Sequence, residues 1–255
     1  MTSNLDFGYP WWISYGHLIP AAIAVVVFLA GLRFRWPRIA MALIAVFGLW
    51  SLAAFAAVRF GPLNVNGRAS LPTERFLASG SGGRVLDIGA GTGRSALMVL
   101  ESRPQTKVVA LDLFQDSYRD HFGNVESGPA KLVSNIKAAG QDSGRVEVKA
   151  GDMRSLPFED ASFDAAVTAY AIDHIGGKGA TKAIGEAFRV LKPGGEFLVM
   201  VIAKDKWLNF TFGPLMLHSG TRGSAWWSQK LEEGGFRVEE TGMRPGTLYL
   251  LARKP

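Results

Sequence analysis

Twenty consecutive residues, Ile39 to Val58 (IAMALIAVFGLWSLAAFAAV), carry no charge, and Arg38 and Arg59 stand at their two ends. As a helix rising about 1.5 Å per residue, this run reaches roughly 30 Å, the thickness of a bilayer's hydrocarbon core. The flanking arginines favour a membrane helix over the core helix of a soluble fold. Upstream, Leu18 to Leu32 forms a second, mainly apolar run, extended outward by Trp11, Trp12 and Tyr15, side chains suited to the interfacial belt. It is a poor signal peptide: Asp6 precedes it without any Lys or Arg, and no small-residue cleavage site follows. The pattern predicts two membrane helices in a hairpin that turns at Arg33–Arg38, with Pro37 helping to stop the first. Residues 1–60 read as the membrane anchor and 61–255 as one globular domain.

Charge follows the same division. From Phe7 to Val58 only Arg33, Arg35 and Arg38 are charged, whereas 25 of the 28 basic and 21 of the 22 acidic residues lie from Arg59 onward. The net charge of +6 suits an anionic membrane surface. No Lys/Arg-rich run interleaved with aromatics points to nucleic acid. Arg33, Arg35 and Arg38 on one side and Arg59, Arg68 and Arg75 on the other nearly cancel under the positive-inside rule. Charge alone therefore fixes neither the orientation of the hairpin nor whether it spans or dips into one leaflet. The absence of cysteine removes disulfides, thiolate metal sites and cysteine nucleophiles from consideration.

Past Gly61, short apolar runs alternate with helix-length stretches. Strands are expected at 84–88, 107–111, 146–150, 163–169, 195–201, 237–243 and 247–253, and helices at 94–101, 130–139 and 180–190. Near-continuous apolar strands alternating with helices indicate an α/β fold with a parallel sheet covered on both faces. Only Arg244-Pro245-Gly246 joins the last two strands, so these form an antiparallel hairpin.

The most informative local pattern is VLDIGAGTGRS, residues 85–95. A buried strand ends in Asp87, and Gly89, Gly91 and Gly93 lead into a helix. Such glycines let the backbone turn sharply and approach a ligand at the positive end of the helix. A second strand ends in Asp112, nineteen residues past Gly93, where a carboxylate can accept hydrogen bonds from both hydroxyls of a ribose. The last position of the dinucleotide fingerprint is Arg94 instead of glycine. Asp87 beside the loop would repel a pyrophosphate but help to orient a cationic amino group. Both points favour a nucleoside that carries an amino acid.

Here the sequence resembles the class I S-adenosylmethionine-dependent methyltransferases, over about Thr73 to Lys254. The resemblance rests on DIGAGTG (87–93), on Asp112, on VKAGDMRSLPF (148–158), on SFDAAVTAYAIDHI (162–175) and on RVLKPGG (189–195). It implies a Rossmann-like, seven-stranded sheet closed by the C-terminal hairpin, and S-adenosylmethionine as cofactor. It also implies that Asp112 binds the ribose, that Asp152 contacts the adenine amino group and that Met153 lines the ring. Within the family the pattern is nearest the methyltransferases of small, often lipophilic acceptors, such as the quinone-biosynthetic enzymes. A cofactor made and kept in the cytoplasm places the catalytic domain on that face of the membrane.

Methyl transfer needs the acceptor aligned with the activated methyl and, where necessary, deprotonated. Asp173 and His174 close the fourth strand, at the edge of the sheet where ligands gather. His174 is the first candidate base, with Asp173 as a possible orienting group, Tyr170 as a cofactor or acceptor contact and His218 as a second base. No metal-spaced cluster occurs, so no metal is expected. The long segment after Asp112 reads as a lid. The aromatic-rich stretch 204–227 reads either as core or as an acceptor or membrane-facing cap. Together these predict a membrane-anchored enzyme acting through oxygen, sulfur or nitrogen of a lipophilic acceptor, a quinone-like or phenolic ring or a small thiol. The hairpin serves mainly to tether it. The competing expectation is a S-adenosylmethionine-binding sensor or scaffold without catalysis.

Overall fold

The computed structural model describes residues 5–78, 82–114, 128–213 and 221–255. Five parallel strands, β1 (Gly83–Ile88), β2 (Thr106–Asp112), β3 (Val146–Ala150), β4 (Phe163–Ala169) and β5 (Leu191–Ile202), share one sheet with an antiparallel pair, β6 (Arg237–Arg244) and β7 (Thr247–Arg253). The strand order is β3-β2-β1-β4-β5-β7-β6. The expected α/β sheet with its closing hairpin is therefore present. β5 begins four residues earlier than its apolar run: Leu191 pairs with Phe163, and the register shifts before Ala165 meets Glu196. Lys192-Pro193-Gly194 lies in that irregularity, which is why the sequence hides the strand's start.

Alternation within each strand feeds two cores. Leu86, Ile88, Val109, Leu111 and Val199 point to one face, where they pack with Ala180, Ala183, Ile184 and Ala187 of a helix at Gly176–Val190 and with Trp227 and Leu231 of one at Ser224–Glu233. Val85, Val108, Ala110, Leu198 and Met200 point to the other, against helices at Arg94–Ser102 and Gly128–Ala138. Phe7 also belongs to this second core and is only 3% exposed.

Three helices precede the sheet: α1 (Trp11–Tyr15), α2 (Leu18–Arg33) and α3 (Arg38–Arg59). In chain order those after them are α4 (Arg94–Ser102), α5 (Gly128–Ala138), α6 (Gly176–Val190), α7 (Lys206–Phe212) and α8 (Ser224–Glu233). α2 and α3 form a hairpin around residues 34–37, and they approach closely enough that a Cβ on Gly48 would lie 3.2 Å from that of Ala24. The expectation of two membrane-length helices needs correction. Among the described residues only α3 is long and apolar enough to cross a bilayer, with a mean hydropathy of 2.3 and little of its surface buried. α2 has 16 residues, or about 24 Å, short of the roughly 30 Å hydrocarbon core.

The hairpin lies against the sheet domain. Trp50 Nε1 of α3 donates to the Phe210 carbonyl of α7 at 2.9 Å, and the rings of His17 and Phe212 are 5.8 Å apart. Arg59 Nε donates to Tyr15 Oη at 3.1 Å, and Asn66 Nδ2 to Ser14 Oγ at 3.2 Å, which holds the end of α3 beside α1. Of the aromatic-rich stretch 204–227, Trp227 is core, Phe210 is exposed beside α3, and Met216 falls outside the described residues.

Candidate cofactor and acceptor site

The C-terminal ends of β1, β2 and β4 converge on the glycine run. Gly89 and Ala90 donate their N–H groups to the Leu111 carbonyl of β2 at 2.8 and 3.0 Å, and Gly91 donates to Asp112 Oδ2 at 3.0 Å. Gly89 has φ +77°, and a Cβ there would overlap Ala171 Cβ and come within 3.0 Å of Met153 Cε. Only glycine fits. Gly91 and Gly93, at φ +51° and +91°, carry the chain round into α4.

Asp87 lies beneath this loop, 0% exposed. Ser95 Oγ is 2.8 and 2.7 Å from its two oxygens, and the Ala96 N–H also donates to it. Burial pushes its carboxyl up to about 7, against the pull of these donors and with a further push from the Asp112 charge. Its hydrogen bonds run to the first turn of α4, so Asp87 braces the loop from beneath. Ser95, which the sequence did not single out, is the partner that fixes this.

Asp112 accepts from Gly91 N and, through Oδ1, from Phe114 N at 3.0 Å. Each carboxylate oxygen has two lone pairs, so both retain capacity for a ribose hydroxyl. Its carbonyl accepts from Gly151 N at 2.9 Å, which brings the β3 loop alongside. There Asp152 is held by Arg154, whose Nε and Nη2 reach its oxygens at 3.0 and 2.7 Å, and that guanidinium keeps the carboxyl below its ordinary range. Met153 packs on the first core and faces Gly89.

Beyond β4, Tyr170 adopts φ +55°, a left-handed conformation that a bulky residue takes only when its surroundings impose it. Its N–H donates to the Met200 carbonyl at 2.9 Å, and its hydroxyl lies 2.6 Å from Thr247 Oγ1. Asp173 and His174 do not lie on the strand but in a 3₁₀ turn at Ile172–His174. The suggested Asp173–His174 pairing is replaced: Asp173 Oδ2 accepts from Ile202 N at 3.1 Å, its buried Oδ1 has no partner among the described residues, and His174 is exposed. His218 and the central part of the expected lid (115–127) fall outside the described residues.

Residues 5–9, assigned above to the membrane anchor, pack over the glycine loop. Thr92 Oγ1 donates to the Phe7 carbonyl at 2.9 Å. Asp6 N donates to Asn135 Oδ1 at 3.1 Å, while Asn135 Nδ2 donates to the Asp6 and Thr92 carbonyls at 2.8 and 3.0 Å. Lys131 pairs with Asp6 at 2.7 Å. The segment that leads into α1 is thus packed against the glycine loop and the helix beside it. By contrast, a cleft of about 850 Å³ between Ser70–Ala78 and Ser102–Thr106 lies at the other end of β1 and β2 and contains none of these residues.

The arrangement fits S-adenosylmethionine: a glycine cradle without room for a Cβ, a carboxylate with spare lone pairs at the ribose position, and an unmatched buried oxygen at the end of β4. Residues 85–195 match the family described as a methyltransferase domain. The ubiquinone/menaquinone biosynthesis C-methyltransferase UbiE of Methylobacterium nodulans is 33% identical over 118 residues, covering 46% of this chain and 41% of that protein. The demethylmenaquinone methyltransferase of Clavibacter sepedonicus is 35% identical over 127 residues, covering 50% and 44%. The chain thus spans less than half the length of either relative. Its fold is similar to that of the 1,6-didemethyltoxoflavin-N1-methyltransferase of Burkholderia thailandensis, solved with bound S-adenosylhomocysteine, at a TM-score of 0.50 and 22% identity over 69% of this chain and 73% of that one. Over residues 85–195 the chain is accordingly similar to methyltransferase domains, and its glycine loop and Asp112 suit S-adenosylmethionine.

Proposed function

We propose that the chain is a membrane-anchored methyltransferase that methylates a small lipophilic acceptor, with a quinol-like or phenolic ring as the first class and a small thiol as the second. The observation that carries this reading is the placement of α3. α3 is apolar and largely exposed and touches α7, which follows β5, through Trp50, so a lipophilic acceptor entering from a bilayer would meet the ligand-binding edge of the sheet. The Methylobacterium nodulans relative is named a ubiquinone/menaquinone biosynthesis C-methyltransferase, which adds carbon to the acceptor atoms considered, and the Clavibacter sepedonicus relative is named for demethylmenaquinone. Residues 1–60 anchor and 61–255 catalyse, except that residues 5–9 contribute to the site. The domain faces the cytoplasm, where the cofactor is made.

S-adenosylmethionine supplies an activated methyl group. In this reading Gly89, Gly91, Gly93, Asp112, Asp152 and Met153 hold it, with Asp87 bracing the loop from below. Tyr170 and His174 face the acceptor, and His174 or His218 takes the proton that the acceptor gives up as its bond to the methyl forms and the methyl's bond to the cofactor sulfur breaks. The test is an acceptor screen on the purified full-length protein in lipid nanodiscs. S-adenosylhomocysteine production is scored against reduced quinones, phenols, thiols and phospholipids. Turnover with lipophilic rings that falls when the lipid is replaced by buffer-soluble surrogates is expected. Turnover confined to water-soluble acceptors, or to phospholipids, would overturn the reading.

A further inference from the structure

With Asp87 bound to Ser95 and Ala96, the amino-acid end of the cofactor needs other partners. That end carries one carboxylate and one ammonium. Beside the glycine loop, two buried atoms of complementary character lack hydrogen bonds among the described residues: Arg94 Nε, a donor, and Asp173 Oδ1, an acceptor. Arg94 is held in place where the loop becomes α4. Its Nη2 donates to the Asn64 carbonyl at 3.3 Å, and its guanidinium lies 5.8 Å from the centre of the Phe7 ring. Asp173 is held through its other oxygen, which accepts from Ile202 N.

Tyr9 lies between the two. Arg94 hydrogen-bonds its hydroxyl, and Tyr170 and the Asp173 carboxylate are near it. Its position follows from the Asp6 and Phe7 bonds to Asn135 and Thr92, three and two residues upstream. A buried donor and a buried acceptor left unmatched are each unfavourable, and a single amino-acid zwitterion satisfies both.

We propose that Arg94 and Tyr9 receive the carboxylate of S-adenosylmethionine and that Asp173 receives its ammonium. The guanidinium-to-carboxylate and ammonium-to-carboxylate contacts are charge-assisted, the stronger class of hydrogen bond. Because Tyr9 lies on the segment that leads into α1, the membrane hairpin's own leading residues then complete the cofactor site. The proposal rests on the cofactor assignment above and leaves the acceptor open.

The test compares two ligands by calorimetry on the full chain in detergent. S-adenosylhomocysteine has the amino-acid end, whereas 5′-methylthioadenosine keeps the adenosine and thioether and lacks it. Arg94→Gln and Asp173→Asn are expected to weaken S-adenosylhomocysteine by about tenfold or more, and Tyr9→Phe by severalfold. Affinity for 5′-methylthioadenosine should stay at the wild-type value, which also reports that the pocket is intact. Unchanged S-adenosylhomocysteine affinity in Arg94→Gln and Asp173→Asn overturns the proposal alone, as does an equal loss of both ligands. Wild-type protein that binds neither ligand overturns the cofactor assignment and the proposal with it.

Discussion

Asp87 offers a measurable consequence of burying a carboxyl group under a ligand loop. Its carboxyl is raised from 3.8 to about 7, first by burial and then by the nearby Asp112 charge. The folded protein therefore keeps a proton that the unfolded chain has already released, and the stability this contributes is full below about pH 4 and declines as the pH rises to about 7. At about 1.4 kcal/mol for each pH unit, the whole decline amounts to about 4 kcal/mol, of which about 3 kcal/mol falls between about pH 5 and about pH 8. Asp87→Asn keeps the shape, leaves an oxygen for Ser95 or Ala96 and cannot titrate. The wild type should therefore lose stability against the variant as the pH is raised through that range. For a chain of this size the loss corresponds to a relative fall in thermal midpoint of roughly 6–12 °C. Midpoints of both proteins, measured in one detergent across the range, give the difference directly, and other titrating groups cancel in it. A difference that stays flat with pH, or that moves in favour of the wild type at high pH, would refute the argument.

Two further outcomes follow from the loop. Asp112→Ala removes the acceptor of Gly91 N and the carboxylate at the ribose position, and should weaken S-adenosylhomocysteine by about ten- to a hundredfold in calorimetry; unchanged affinity would place the ribose elsewhere. Gly89→Ala adds a left-handed backbone penalty of about 1–2 kcal/mol to a direct overlap with Ala171, so it should lower the unfolding midpoint and abolish cofactor binding together. A variant with wild-type midpoint and affinity would show that the β4 turn yields freely.

What the sequence made readable was governed by how local the determining forces are. The parallel strands were legible because burial on both faces writes an unbroken apolar run, as in Val108–Leu111, and the glycine loop because three left-handed turns leave few alternatives to glycine. β5 was read short because Leu191 rejoins the sheet across a Pro-Gly irregularity that resembles a turn. The Asp173–His174 pair was misplaced on β4 because the chain leaves the strand at Tyr170, whose positive φ nothing in its side chain announces. The length of α2 told against it, since fifteen apolar residues invite a membrane reading that the helix geometry does not sustain. The partners of residues 5–9 had no sequence signature at all. Asp6 meets Asn135 across 129 residues, and Phe7 meets Thr92 across 85, distances over which no pattern of spacing operates.

That clamp also constrains crossing parity. Residues 5–9 are fastened to the glycine loop, and the chain returns from α3 to the same domain, where Arg59 and Asn66 are bonded to Tyr15 and Ser14, the last two residues of α1. A path that leaves a rigid body and comes back to it must pass through any intervening sheet of lipid an even number of times, or not at all. A single passage, with residues 5–9 on one face and the sheet on the other, would tear the Asp6–Asn135 and Phe7–Thr92 bonds apart. Should α3 cross, the stretch before it must cross as well, and the Arg33, Arg35 and Arg38 cluster at the turn then reaches the far face. Chain connectivity thus keeps both ends of the hairpin together with the sheet domain, whichever face of a bilayer that is.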